Sequence, residues 1–161
     1  VDEVARLIDA AGRVVPATVG PVSLVGRRAP SPQRGLHPDE STDVRVLGQV
    51  AVQNTAGLAR LSLSPSIPES PPAVGEAIRH ADQVLVGPGS LFTSVLAAAI
   101  VPAVHDALRE TRAQRVYIAN LRPQVPETEG FDLEDHLDVL ADQANQPVYI
   151  HCASANRVGA V

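Results

Sequence analysis

Between residues 83 and 150 short apolar runs alternate with polar loops and amphipathic stretches, and few folds accommodate that rhythm. Val84-Leu85-Val86 reads as a strand and Gly87-Pro88-Gly89-Ser90 as a loop. Leu91 to Ala99 and Ala103 to Arg109 read as helices, Val116 to Ala119 as the next strand, 132–144 as a helix and Val148-Tyr149-Ile150 as a last strand. Strands separated by helical crossovers pair in parallel, because each crossover carries the chain back to the end where the strand began. The expectation is an α/β fold, a Rossmann-like three-layer sandwich with a mostly parallel sheet. Aromatic residues make up 2% of the 161 positions, with no Trp or Met, so Val, Leu, Ile and Ala must build the core, as they do in parallel sheets buried under helices.

Upstream of this region the pattern is less regular. Residues 2–11 read as a helix stopped by Gly12, which can take the left-handed C′ conformation cheaply. Val14-Val15 and Val22 to Val25, interrupted by Pro16 and by Gly20-Pro21, suggest strand pieces at a sheet edge, where a missing N–H is tolerated. Residues 26–43 form a polar, Pro/Gly-rich loop. Val44-Val46 with Val50-Val52, then Leu58, Leu61 and Leu63, look like two antiparallel strands around Asn54-Thr55-Ala56-Gly57, a small β insertion. Four prolines between Pro65 and Pro72 make a stiff connector to a helix over 73–81.

Several function classes are disfavoured. A net charge of −5 and the scarcity of aromatic platforms argue against a nucleic-acid partner. The single cysteine, Cys152, allows no internal disulfide and fits a reducing compartment, the cytoplasm by default. The longest apolar run, Val95 to Val104, is broken by Pro102 and too short for membrane insertion, and residues 1–20 lack the pattern of a secretory signal. The chain opens without Met and directly in an amphipathic pattern, as a segment of something longer does. A homodimer is neither required nor excluded.

Two loops carry candidate chemistry. Gly87-Pro88-Gly89-Ser90 joins a strand to a helix, so backbone N–H groups can approach an anion at the positive end of the helix dipole, with Ser90, Thr93 and Ser94 as hydroxyl donors. The same residues also suit a tight turn with Ser90 as a plain N-cap. Asn120, Gln124, Glu127 and Thr128 follow the strand ending at Ala119, at the carboxyl edge where open α/β sheets bind ligands. Their amides suit a nucleobase, amide or sugar, and Asn120 and Thr128 equally suit turn and cap bonds within the loop. Asp132, Asp135, His136 and Asp138 resemble a metal cluster but read better as an acidic helix N-terminus with His136 facing outward, so no metal ligand is assigned.

The run from Ala81 to Ser94, with Gly87-Pro88-Gly89-Ser90 at its centre, resembles the signature of the gluconeogenesis-factor (YvcK-like) and phospholactate-transferase (CofD-like) superfamily. Asn120-Leu121, Gln124, Glu127-Thr128, Gly130-Phe131 and Asp135-His136-Leu137 resemble its second motif, and Val15-Pro16-Ala17-Thr18 a third. The likeness covers roughly 1–142 and is closer to the gluconeogenesis-factor branch, giving a family domain over 1–145 and a tail over 146–161. It implies binding of a nucleotide-sugar such as UDP-N-acetylglucosamine, with a regulatory role in carbon flux, cell-envelope synthesis and cell shape. Gly87, Gly89, Ser90, Thr93 and Ser94 would meet phosphate, and Asn120, Gln124 and Thr128 the rest of the ligand. The transferase branch implies an alternative, transfer of a phosphorylated lactyl group to a flavin-like acceptor with Mg²⁺. Val125-Pro126 stands where the family has Pro-Gly, and the family's N-terminal Gly-Gly-Gly and Asp-Asp-Gly-Gly segments do not occur in this chain, so half the site is expected to need supplying.

The tail from Gln146 to Ala160 instead resembles a loop of cysteine phosphatase-like proteins, with Cys152 as nucleophile and Arg157 as phosphate clamp. A thiolate five positions before an arginine can attack a phosphate ester. Ala155 departs from that loop, and a terminal strand with an inert cysteine is the plainer reading.

Overall fold

A computed structural model of the chain describes residues 2–7, 9, 11–28, 44–144 and 149–151. The elements, in order, are α1 (Asp2–Leu7), β1 (Ser23–Arg28), β2 (Arg45–Leu47), α2 (Gln49–Gln53), β3 (Leu58–Ser64), α3 (Pro72–Arg79) and β4 (Gln83–Val86). A π-helix (Leu91–Leu96) then runs into α4 (Ala97–Ala99), followed by α5 (Pro102–Glu110), β5 (Gln114–Ile118), α6 (Leu133–Ala144) and β6 (Tyr149–His151). The fold is α/β and Rossmann-like, with a parallel sheet, packed helices and a small antiparallel insertion.

The parallel sheet has the order β4-β5-β6, with Val86 opposite Tyr117 and Tyr117 opposite Ile150. Its helices begin where the sequence permits: Pro72 and Pro102 stand at the first positions of α3 and α5, where no N–H is needed. Asp132 and Asp135 close a reciprocal capping box before α6, the Asp132 N–H donating to Asp135 Oδ2 at 2.8 Å and the Asp135 N–H to Asp132 Oδ1 at 3.1 Å. One core joins both sheets: Leu58, Leu61 and Leu63 of β3 belong to the same buried cluster as Leu91, Phe92, Leu96, Tyr117 and Leu140. Among the described residues no single helix is long and apolar enough to cross a membrane.

The insertion differs from the expected hairpin. Its order is β2-β1-β3, so the strand expected at an edge lies in the middle, bonded on both sides. Pro16 and Pro21 are no obstacle because the strand begins only at Ser23. Val50 and Val52 are helical, not extended: Gly48 turns the chain at φ 93, and the Val52 N–H donates to the Gly48 carbonyl at 3.0 Å. Two residues of a helix turn lie on nearly opposite sides, so Val52 is fully buried while Val50 is 71% exposed, a division a strand would not make. At the first helix the left-handed residue is Asp9, φ 49, and Gly12 keeps no such conformation.

Candidate functional site

The parallel pairing of β4 and β5 brings their carboxyl ends side by side, and the loops that follow meet there. Gly87 has φ 94, and a Cβ on it would stand 2.9 Å from the carbonyl oxygen of Ile118 on the neighbouring strand. Only glycine satisfies both the conformation and the approach. A Cβ on Gly89 would lie 3.0 Å from Cβ of Ser94, so the bare backbone of Gly89 and the exposed Ser94 side chain are neighbours. Ser90 is extended at φ −59, ψ 136, and its carbonyl accepts the N–H groups of Ser94 at 3.1 Å and Val95 at 2.9 Å. Its hydroxyl makes no capping bond to the helix.

Asn120 ties the two loops together, its Nδ2 donating to the Gly89 carbonyl at 2.9 Å. Thr128 is wholly buried, and its Oγ1 accepts the Gln124 N–H at 2.8 Å while the Thr128 N–H donates to the Gln124 carbonyl at 2.7 Å. These bonds close the turn that holds Gln124 outward, where it is exposed with Leu121, Arg122 and Val125. Thr128 thus serves the loop, as one of its two sequence readings has it.

Glu127 takes a role that its residue type alone did not reveal. It is 1% exposed, and its Oε1 accepts the N–H groups of Phe92 at 2.6 Å and Thr93 at 3.0 Å, while Oε2 accepts the Thr93 hydroxyl at 3.2 Å. The positive end of the helix therefore already holds an internal anion, and the Thr93 hydroxyl is engaged by it. Spacing gave no signal, because the pairing spans 34 and 35 residues.

His136 faces inward, contrary to expectation. It is 5% exposed, with Nδ1 2.9 Å from the Tyr117 hydroxyl and its ring 5.9 Å from that of Phe131. Burial pushes its pKa below 6.5, against the opposing charges of Asp135, Asp132 and Glu127. Burial also pushes Tyr117 up to about 12. The available signal was its place four residues before Leu140, on the buried face of α6. Asp132 and Asp135 are occupied by each other's backbone, and among the described residues no three His, Cys, Asp or Glu side chains gather as a metal site. Cys152 and Arg157 lie outside the described residues.

The fold and these loops define an α/β protein in which a glycine loop and an asparagine loop meet at the carboxyl edge of a parallel sheet. The chain belongs to the CofD family, whose model, described as 2-phospho-L-lactate transferase CofD, matches residues 1–158. A relative from Mycobacterium tuberculosis named putative gluconeogenesis factor is 40% identical over 144 residues, 89% of this chain and 41% of its own length. The gluconeogenesis factor of Halalkalibacterium halodurans is 30% identical over 143 residues, 88% of this chain and 41% of its own. Two crystal structures of one Bacillus halodurans protein, assigned to the UPF0052 family, superpose with TM-scores of 0.78 and 0.81 at 28% identity. The matches cover 93% and 98% of this chain but 46% and 48% of the other. This chain therefore spans less than half the length of these relatives, and its likeness to proteins named gluconeogenesis factor runs through most of its own residues.

Proposed function

We propose that this chain binds a nucleotide-sugar of the UDP-N-acetylglucosamine kind, or a related phosphorylated metabolite, and that its output is regulation of carbon metabolism and cell-envelope synthesis in the cytoplasm. The supporting observation is the meeting of two loops at the carboxyl ends of adjacent parallel strands, tied by the Asn120 to Gly89 bond. Gly87, Gly89 and Ser90 are half-buried there, and the exposed Ser94 lies beside Gly89. In this reading the Gly87, Gly89 and Ser90 backbone and the Ser90 and Ser94 hydroxyls receive phosphate, while Asn120 and the exposed Gln124 meet the remainder. Thr93 and Thr128 act at one remove by fixing the loops. Arg122, exposed in the second loop, adds a cation suited to a diphosphate.

The alternative is transfer of a phosphorylated lactyl group, which the family description favours and which also places a phosphate in the cradle. Mg²⁺ chemistry finds poor support in the donors present. Glu127 is engaged by Phe92 and Thr93, and Asp132 and Asp135 by one another, so no step is assigned to a metal. Calorimetric titration of UDP-N-acetylglucosamine into this chain, and into a hybrid joining it to the rest of the mycobacterial relative, tests the proposal. Saturable binding without turnover, weakened about tenfold or about 1.4 kcal/mol in Ser90→Ala, is expected. Absence of binding by both forms, or Mg²⁺-dependent consumption of 2-phospho-L-lactate, overturns it.

A further inference from the structure

The antiparallel insertion turns one face to the core and the other outward. Leu24 of β1, Val46 of β2 and Leu61 and Leu63 of β3 stand on the inner face, and alternation sends Arg27, Arg45 and Arg60 to the outer one. The register sets these three side by side, with Arg27 opposite Arg45 on one flank and opposite Arg60 on the other. All three are exposed. Neighbouring strands lie about 4.8 Å apart, so the row spans about 10 Å. Arg27 is itself engaged, and Arg45 and Arg60 form the two ends. Like charges directly opposite one another in a sheet oppose its pairing, a cost that an acidic surface laid on the row would offset.

Such a surface exists on the same molecule. The buried side of α6 carries His136 and Leu140, and Gln143 bonds to the β3 edge, its Oε1 accepting the Leu61 N–H at 2.9 Å and its Nε2 donating to the Ala59 carbonyl at 3.0 Å. Glu134, Asp138 and Asp142 recur at every fourth position, about 40° apart around the helix, and share the opposite, exposed face. Asp142 Oδ2 lies 4.0 Å from Arg60 Nη2, both side chains largely exposed, so the acidic face and the arginine row abut at that pair. The helix rises about 12 Å from Glu134 to Asp142, close to the length of the row. An exposed leucine marks each end: Leu47 follows Arg45 on the outer face at 62% exposure, and Leu133 precedes Glu134 at 39%.

We infer that this stripe, Glu134–Asp138–Asp142 continued by Arg60–Arg27–Arg45, is the interface between two copies of the chain. Its first half is negative and its second positive, an order that becomes its own complement under a two-fold axis through the Arg60–Asp142 pair. The axis lays each arginine row on the acidic helix face of the other copy: Arg60 meets Asp142, Arg27 meets Asp138 and Arg45 meets Glu134. Leu47 of each copy then falls beside Leu133 of the other, which adds an apolar contact at both ends. A partner of one sign fits less well. A nucleic acid or an anionic membrane would satisfy the arginines while meeting the acidic half of the stripe and a molecule of net charge −5, and a basic partner would satisfy only α6.

Sedimentation equilibrium of the chain over a range of concentrations tests the inference. The expected result is a monomer–dimer equilibrium that weakens at least tenfold between about 0.05 M and about 0.5 M salt, because the contacts are mainly between exposed charges. Arg45→Glu and Glu134→Arg should each weaken the dimer at least tenfold, since each sets two pairs of like charges against one another. Mixing the two variants should restore a 1:1 heterodimer, and the double variant Arg45→Glu/Glu134→Arg should restore the homodimer. Such rescue separates a charge effect from misfolding, and circular dichroism checks that every variant folds. A monomer at all concentrations, a dimer indifferent to both substitutions, a loss that neither rescue repairs, or a monomer whose arginine row binds an RNA oligonucleotide would each overturn it. No ligand enters the readout, so this inference and the nucleotide-sugar reading fail separately.

Discussion

Glu127 places a carboxylate against the N–H groups of Phe92 and Thr93, so the helix end is satisfied from within and the glycine loop is held against the second loop. Removing the carboxylate leaves two buried donors unpaired, and Glu127→Ala is expected to lose about 3 kcal/mol of stability in urea unfolding. Glu127→Gln retains an acceptor oxygen and should lose about 1 kcal/mol, because a hydrogen bond to a charged group is the stronger kind. Equal effects of the two would show that the charge, not the acceptor, is what matters. At Gly87 the left-handed backbone and the nearby Ile118 carbonyl make Gly87→Ala cost at least about 2 kcal/mol. Gly12, with no neighbour within 4 Å of a Cβ, should accept alanine with stability unchanged or raised by up to about 1 kcal/mol.

His136 supplies a pH dependence with a definite sign. Burial lowers its folded pKa below 6.5, so the unfolded chain binds a proton first as the pH falls. The stability this group contributes is complete above pH 6.5 and is lost as the pH drops through the interval down to the lower folded value. The thermal midpoint should therefore fall between pH 7 and about pH 5.5, a slope that His136→Gln should flatten; an unchanged slope in the variant would assign it to other groups. Tyr117 acts at the other end: its pKa of about 12 means stability present below pH 10 is lost as the pH climbs towards 12.

At the scale of elements, the parallel part was legible and the insertion was not. β4, the helices after it, β5 and α6 follow from apolar periodicity bounded by Gly, Pro and Asp, each a local signal. Val50-Val52 misled because a short apolar run is the same in a strand and in a buried helical turn, and only Gly48 at φ 93 decides between them. The central place of β1 depends on pairing with strands on both sides, which no local pattern encodes. Of the site, the two loops and their meeting could be anticipated from strand order, whereas the grip of Glu127 on the helix end and the inward turn of His136 depend on tertiary contacts. Gly26 marks the crowding in the middle strand, where a Cβ would stand 2.9 Å from both Leu58 Cδ2 and Val46 Cγ2. Gly26→Val should therefore destabilise the chain by about 2 kcal/mol in urea unfolding, with both flanking strands losing exchange protection together.

Among the described residues the molecule is a three-stranded parallel sheet with packed helices and an antiparallel insertion, and two loops meet at the carboxyl edge of the parallel sheet. Its antiparallel insertion shares the core of the parallel sheet through β3, the π-helix and α6, so the two sheets should unfold in one transition. The meeting of the two loops follows from β4 lying next to β5 in a parallel pair. The most direct test of the central claim is an amide-shift titration of the isotope-labelled hybrid with UDP-N-acetylglucosamine. Shifts concentrated at Gly87, Gly89, Ser90, Ser94 and Asn120 are expected, saturating together. Saturable shifts confined to residues away from both loops, or no shifts at all, would contradict the account.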